Sequence, residues 1–306
     1  MLPILITISL LGRIALATDR DGDWEIYTMM EDGTGLVNLT RSPGSDFYPA
    51  WSPDGRRIAF FSYRDGNGEI YLMNDEGGEL RRLTRHEAED KAPTWSPDGR
   101  WIAFSSDRSG SFDIWLMDEE GGELRRLTDG PADEILPAWS PDGEKIAFVS
   151  NMDGDWEIYV IDLKEGKVKR MTNSPGLDSY PAWSPDGSRI SFTSMREGDM
   201  EIFLMDEEGR ISGKLTDNDM DDAVSRWSPD GNQIVYQSEG ERGNWEICVM
   251  DLKTGKVRRI TRDESWYVEP AWQPKLCSLK VNPLVGFRIT WGWIKGETLK
   301  QPRSRR

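Results

Sequence analysis

Tyr180-Pro181-Ala182-Trp183-Ser184-Pro185-Asp186-Gly187 is a stretch that recurs throughout this sequence. Pro at the second position and Gly at the fourth position of Ser-Pro-Asp-Gly favour a tight turn. A period of about 40 to 45 residues with such turns and strand-like flanks is typical of propeller blades. The motif tryptophan returns every 44 residues, and after 45 in the last step, as Trp51, Trp95, Trp139, Trp183, Trp227 and Trp272.

Each repeat is interpreted as four short strands. In the second repeat the second strand, Arg-Ile-Ala-Phe-Phe-Ser-Tyr, is apolar on both faces, which indicates burial between two neighbouring sheets. Five complete units are present, with a partial copy at each end. The N-terminal copy, residues 12–40, lacks the first strand, and the C-terminal copy has only that strand. The four strands of the second repeat are predicted at 47–51, 57–63, 69–74 and 79–84.

These units predict an all-β fold, a six-bladed β-propeller of four-stranded antiparallel blades over residues 12–274. Pairing of the C-terminal strand, residues 269–273, with the N-terminal strands of residues 12–40 closes the ring and removes exposed sheet edges. An alternative stays open, in which the apolar residues 1–8 supply the inner strand of the first blade.

The two ends of the chain fall outside the repeat. Residues 1–11 are interpreted as an apolar leader or an extra strand, because they lack the basic start of a signal peptide. Residues 275–306 form a basic tail with eight Lys or Arg residues and one acidic residue.

Charge and composition restrict the class of function. The net charge is −16, and the basic tail leaves the propeller body more acidic still. An acidic body repels phosphates and anionic lipid and favours basic surfaces, so we expect a protein or basic peptide as partner and no nucleic acid. No apolar run approaches the roughly 18 residues of a transmembrane helix, so we expect no membrane span. We also expect a monomer. His86 is the only histidine and the chain has two cysteines, which argues against histidine triads, multi-histidine metal sites and a disulfide framework.

Acidic residues recur three positions before the motif proline. Sixfold geometry predicts five carboxylates around one mouth of the central channel, where they would bind Ca²⁺, another divalent cation or an inserted basic side chain. The alternative is that each carboxylate caps its own turn. The sixth repeat has Tyr267 at this position, and the five acidic residues are Asp46, Asp90, Glu134, Asp178 and Asp222.

Aromatic residues accompany these acids in the loops that lead into the first strands. Aromatic side chains beside acidic ones form a plausible docking surface for a basic peptide. Ordinary packing over the channel mouth is the alternative. The predicted binding aromatics are Tyr48, Tyr180, Trp266 and Tyr267.

The repeat pattern PAWSPDG…IAF.S.RDG..EIY.MD..GG…RLT resembles the WD40-like repeats of TolB-type propellers, from Gly12 to Pro274. The resemblance implies a six-bladed propeller that binds proteins without catalysis, in the periplasm or elsewhere outside the cytoplasm. A cytoplasmic location stays open, because the start of the chain is not a convincing signal peptide. TolB carries an α/β domain before its propeller, whereas eleven residues precede Gly12 here, so we expect a free-standing propeller.

The function predicted from the sequence is a non-catalytic scaffold that binds a protein or peptide through its acidic axial-loop face and requires no cofactor. Two alternatives remain. One is a calcium-dependent propeller hydrolase of the lactonase kind, and the other is an accessory or sensor domain for a separate enzyme chain. The hydrolase domain of prolyl-oligopeptidase-type enzymes is not expected, because the chain lacks a Gly-x-Ser-x-Gly nucleophile elbow.

Overall fold

The fold, seen in a computed structural model that describes residues 12–274, consists of 24 β-strands in six four-stranded antiparallel sheets. Each sheet is one blade, and within these residues no helix is long and apolar enough to cross a membrane. The strands of blades 1 to 3 are β1 (Arg13–Thr18), β2 (Glu25–Met30), β3 (Val37–Asn38), β4 (Asp46–Trp51), β5 (Arg57–Ser62), β6 (Glu69–Asn74), β7 (Arg81–Arg82), β8 (Asp90–Trp95), β9 (Trp101–Ser106), β10 (Asp113–Asp118) and β11 (Arg125–Arg126).

Blades 4 to 6 repeat the same order of strands, and blade 1 is completed by the last strand of the chain. The remaining strands are β12 (Glu134–Trp139), β13 (Lys145–Ser150), β14 (Glu157–Asp162), β15 (Val168–Arg170), β16 (Asp178–Trp183), β17 (Arg189–Ser194), β18 (Glu201–Asp206), β19 (Ile211–Lys214), β20 (Asp222–Trp227), β21 (Gln233–Glu239), β22 (Trp245–Asp251), β23 (Val257–Arg259) and β24 (Tyr267–Trp272).

The ring is closed by β24, which pairs antiparallel with β1, with Trp272 opposite Ile14 and Tyr267 opposite Thr18. The predicted six-bladed fold and its C-terminal closure are therefore confirmed. β24, not residues 1–8, is the inner strand of blade 1. The predicted leader or extra strand, residues 1–11, and the predicted basic tail, residues 275–306, lie outside the described residues.

The core is divided into six layers, one between each pair of neighbouring blades. In β5, Ile58 and Phe60 pack in a cluster with blade 1, whereas Ala59 and Phe61 pack in a cluster with blade 3. Four further clusters repeat this arrangement around the ring. The apolar character of both faces of the second strand follows from its position between two neighbouring blades.

The outermost strand of each blade is shorter than the sequence indicated. In blade 2 it is only Arg81–Arg82, whereas residues 79–84 were predicted. Thr84 lies outside the regular strand because its side chain, in place of a backbone carbonyl, bonds to the neighbouring strand. Its Oγ1 accepts a hydrogen bond from Ile70 N at 2.9 Å. The same threonine bond recurs in every blade, through Thr40, Thr128, Thr172, Thr216 and Thr261.

Every first strand carries a β-bulge, and the residue before the motif proline, or before Ser225 in blade 6, adopts a left-handed backbone. In blade 2 the register shifts between Phe47 and Ala50, and Tyr48 has φ +54°. A bulge changes the direction in which a side chain leaves the strand. The equivalent left-handed residues are Ala92 (φ +53°), Leu136 (φ +55°), Tyr180 (φ +51°), Val224 (φ +53°) and Glu269 (φ +56°).

Antiparallel order places the loops on two faces of the propeller. The Ser-Pro-Asp-Gly turns and the loops between third and fourth strands share one face. The other face, which we call the linker face, carries two sets of loops. These are the loops between second and third strands (19–24, 63–68, 107–112, 151–156, 195–200 and 240–244) and the loops between blades (39–45, 83–89, 127–133, 171–177, 215–221 and 260–266).

Candidate binding site

The five predicted carboxylates begin the first strands of blades 2 to 6 and are buried there. Asp46, Asp90, Asp178 and Asp222 are 0% exposed, and Glu134 is 4% exposed. Each also ties its blade to the preceding one through the backbone, as Asp46 N does by donating to Trp24 O at 2.8 Å.

Three of these carboxylates bind an arginine of their own blade. Arg64 Nη2 donates to Asp46 Oδ1 at 3.1 Å and to Oδ2 at 2.9 Å. The guanidinium carbon lies 5.2 Å from the centroid of Phe60 and 4.7 Å from that of Tyr71, within the range of a cation–π contact. The equivalent pairs are Arg108–Asp90 at 2.7 Å and Arg196–Asp178 at 3.0 Å.

The other two carboxylates lack this arginine, since Met152 and Gly240 occupy its position. Burial raises the pKa of Glu134, and it raises the pKa of Asp222 to about 6. Hydrogen bonds from Ser238 and Asn218 lower the pKa of Asp222 but do not offset its burial. A buried carboxylate without a cation favours its neutral form.

The five carboxylates thus occupy equivalent places in five different blades, each enclosed by its own surroundings. Within residues 12–274, no group of three or more His, Cys, Asp or Glu side chains is arranged to hold a metal ion. Binding of a divalent cation by these residues stays a prediction from the sequence.

The predicted binding aromatics separate into three environments. Tyr48 and Tyr180 line the central channel. Trp266 lies on the linker face and is 39% exposed. Tyr267 is 1% exposed, and its hydroxyl donates to Asp263 Oδ2 at 2.8 Å and accepts from Arg20 Nη1 at 3.0 Å.

The central channel has a volume of about 280 Å³. In blades 2 to 5 its lining starts at the bulge, two residues after the buried carboxylate, so there the bulge residues line the channel where the carboxylates were expected. In blade 6 the lining starts at Arg226, and in blade 1 it starts at Glu269. The lining strand segments are residues 48–51, 92–95, 136–139, 180–183, 226–227 and 269–272.

Two opposite charges lie in this channel, Arg226 from blade 6 and Glu269 from blade 1. Glu269 accepts a hydrogen bond from the backbone N–H of Tyr48, and Arg226 Nη1 donates to Ser225 O at 2.9 Å. Burial raises the pKa of Glu269 to about 7, although the Tyr48 N–H and the charge of Arg226 both lower it. Burial lowers the pKa of Arg226, whereas the charge of Glu269 raises it.

Sequence reasoning overlooked Arg226 and Glu269 as site residues, although a signal was present. Arg226 stands where other repeats have Ala or Thr between the proline and the tryptophan, and Glu269 stands where they have Tyr, Ala, Leu or Val. In a repeat protein, a charged residue at an otherwise uncharged position on the inner strand marks the blade whose axial surface differs from the others.

Comparisons with known proteins agree with this architecture. A solved structure of TolB from Acinetobacter baumannii is 25% identical with a TM-score of 0.76, and the match covers 86% of this chain and 67% of that one. A protein assigned as TolB from Agrobacterium tumefaciens is 23% identical with a TM-score of 0.68, covering 86% and 99%. An oligogalacturonate lyase from Vibrio parahaemolyticus is 18% identical with a TM-score of 0.54, covering 82% and 72%. The last two likenesses support the fold alone.

No curated protein matches the sequence. The family model described as TolB beta propeller domain matches residues 12–81, 43–135 and 135–281, which together span most of the chain. The chain therefore belongs to the TolB beta propeller domain family.

Proposed function

We propose that this propeller is a non-catalytic scaffold that binds a basic segment of a partner protein on the linker face. The observation that carries the proposal is the position of the exposed aromatic and methionine side chains. Among residues 12–274 there are four, and all lie in loops of the linker face, namely Tyr63 (39% exposed), Met152 (41%), Met195 (36%) and Trp266 (39%).

The remaining exposed large apolar side chains have a different distribution. They lie one per blade, at the start of the outermost strand or just before it, where single exposed aliphatic residues are normal. In the part of the chain that the structure describes, the exposed methionine and aromatic side chains are therefore confined to the linker face, and such side chains are adaptable or supply contact area. The six outer residues are Val37, Leu80, Leu124, Val168, Ile211 and Val257.

The charge of the linker face supports a basic partner. Aspartate and glutamate clearly outnumber arginine in its loops, and these loops contain no lysine. Opposite charge at the rim of an interface increases association rates and selects partners. Aromatic residues at its centre supply the contact area.

Affinity capture from the source cells tests this proposal. The full chain serves as bait beside Trp266→Ala and Tyr63→Ala, with Val257→Ala and Leu80→Ala as matched controls on the outer strands. We expect the partner band to fall at least several-fold with the first two variants and to persist with the controls. Equal capture by all five proteins would contradict the proposal.

The same capture with a chelator tests the predicted cation. Loss of the partner in chelator, restored by Ca²⁺, would support a metal among the five carboxylates or a calcium-dependent hydrolase. Unchanged capture supports a cofactor-free interaction. Light scattering of the purified chain tests the predicted monomer, and fractionation of the source cells tests an extracytoplasmic location, which the family membership supports.

A further inference from the structure

Glu134 is, with Asp222, one of the two members of the carboxylate series that have no arginine of their own blade. Its counterparts in blades 2, 3 and 5 each bind an arginine of their own blade, but blade 4 has Met152 at that position. Glu134 is 4% exposed, and its Oε2 has no hydrogen-bond partner among the described residues. A buried carboxylate oxygen without a partner costs free energy that a cationic donor recovers.

A cavity of about 360 Å³ adjoins Glu134, between the end of blade 3 and blade 4. Its walls are largely apolar, and Leu127, Pro131, Met152 and Val168 contribute to them. Among residues 12–274, Glu134 and Asp129 are its only charged lining residues, so this part of the chain gives the cavity two acids and no base. Such a cavity fits a ligand with a cationic group at the end of an alkyl chain.

Arg126, the basic side chain whose charge acts on Glu134, is already paired with other acids. Arg126 Nη2 donates to both oxygens of Asp113, at 2.9 and 2.8 Å, and its Nη1 lies 2.7 Å from Asp129 Oδ1. Its charge lowers the pKa of Glu134 only in part, because burial is the larger influence and raises it. The Thr128 hydroxyl also lowers this pKa by hydrogen bonding. Within the described residues, no other cationic side chain forms an ion pair with Glu134 like the one that Arg64 forms with Asp46.

We propose that this cavity is a binding site for an alkylguanidinium group, with Glu134 holding the charge and the apolar wall holding the stem. Three sister blades bind a guanidinium at the equivalent carboxylate, which is why this cation is preferred to a metal ion. The group could come from an arginine side chain of a bound polypeptide or from a free small molecule, and the chemistry of recognition is the same. Met152 belongs both to this cavity and to the exposed side chains of the linker face, whereas Trp266 and Tyr63 do not line the cavity. The site therefore deepens the proposed function, and the small-molecule titration below can fail or succeed separately from the capture of a partner by Trp266 and Tyr63.

Calorimetric titration of the full chain tests the site directly. The probes are N-propylguanidinium and its neutral isostere propylurea, with wild type, Glu134→Gln and Met152→Arg as hosts. We expect saturable binding of propylguanidinium to wild type, at least ten-fold weaker binding to Glu134→Gln, and loss of binding to Met152→Arg, where the introduced guanidinium fills the place. Equal affinity of propylurea and propylguanidinium, or equal binding by wild type and both variants, would overturn the proposal.

A variant of blade 2 that lacks its buried arginine provides a positive control. Arg64→Met in blade 2 removes the guanidinium from Asp46 and introduces a methionine at the position that Met152 occupies in blade 4. If that variant folds, binding of propylguanidinium should restore part of its thermal stability, whereas propylurea should not. Thermal unfolding of each host also reveals whether Glu134→Gln is folded, and Met152→Arg keeps the test valid if it is not.

The two sources of the cation are distinguished with an acetylated and amidated Gly-Arg-Gly peptide. Tighter binding of the peptide than of propylguanidinium, lost in Glu134→Gln, indicates an arginine within a polypeptide. Equal or weaker binding of the peptide, still dependent on Glu134, indicates a free guanidinium compound. Absence of any Glu134-dependent binding for both probes would contradict the site.

Discussion

Arg64 forms a buried ion pair with Asp46, donating from a single Nη2 atom to both carboxylate oxygens at 3.1 and 2.9 Å. The Asp46 side chain is 0% exposed and that of Arg64 is 11% exposed. The pair fixes the start of the inner strand of blade 2 to the loop that follows the second strand. A carboxylate expected at the channel mouth is thereby enclosed within the blade.

Arg64→Met should destabilise the protein by about 3 kcal/mol, because removing one partner leaves a buried charge unpaired. Arg242→Met is the matched control, since Arg242 is 62% exposed and lies 3.5 Å from Glu264, which is 89% exposed. That change should cost less than about 0.5 kcal/mol. Denaturant unfolding at neutral pH measures both, and similar losses in the two variants would show that burial does not set the strength of the Asp46 pair.

Glu269 should give the protein a measurable pH dependence. Its pKa is about 7 in the folded chain, compared with an ordinary value of 4.5, so the unfolded state loses the proton first as pH rises. Stability therefore falls between about pH 4.5 and pH 7, and by at most about 3 kcal/mol from this residue.

Glu269→Gln isolates this effect from other titrating groups such as Asp222. The difference in unfolding free energy between the variant and wild type should shift in favour of the variant as pH rises from 5 to 8. A difference that stays constant over this range would contradict the assignment of the raised pKa to Glu269.

Gly77 and Gly66 both have a left-handed backbone, with φ of +83° and +105°, but their surroundings differ. A Cβ at Gly77 would lie 2.5 Å from Leu39 O of the preceding blade, whereas a Cβ at Gly66 would meet nothing within 4 Å. Gly66→Ala should cost only the backbone strain of about 1–2 kcal/mol. Gly77→Ala should cost about 1–3 kcal/mol more because the blades must move apart. Thermal unfolding compares the two, and equal costs would mean that the blade contact is not close.

Thr84→Val should cost about 2 kcal/mol, because it leaves the buried Ile70 N–H and the Glu69 carboxylate without the hydroxyl that both contact. Thr34→Val, on an exposed loop where the hydroxyl donates to Asp32 at 2.6 Å, is the control and should be nearly neutral. Hydrogen exchange of the Ile70 amide checks the mechanism. Unchanged protection in Thr84→Val would show that another group satisfies the amide.

Much of the fold could be predicted from the sequence because the repeat is nearly periodic. The spacing of Trp51 and its five equivalents sets the number of blades, and Glu269-Pro270-Ala271-Trp272 identifies the strand that closes the ring. The outermost strands were predicted too long, because the Thr84 hydroxyl, and not a backbone carbonyl, accepts the hydrogen bond from Ile70 N. The predicted site was less complete, because Arg226 and Glu269 stand out only when a single repeat is compared with the others.

The sequence by itself determined the architecture, because the period, the turn residues and the apolar pattern are local properties that recur in each repeat. Only the tertiary structure decided which side chains face the channel. The bulge before the motif proline places Tyr48, Ala92, Leu136, Tyr180 and Glu269 in the channel lining and leaves Asp46 inside the blade. The partner of that buried carboxylate is Arg64, which lies 18 residues later in the chain. Blade 4 has Met152 at the position equivalent to Arg64, and the loss of the ion pair there is recognised only when the blades are compared in space. Charge pairing in a buried site depends on distance in space, and the repeat period alone does not supply that distance.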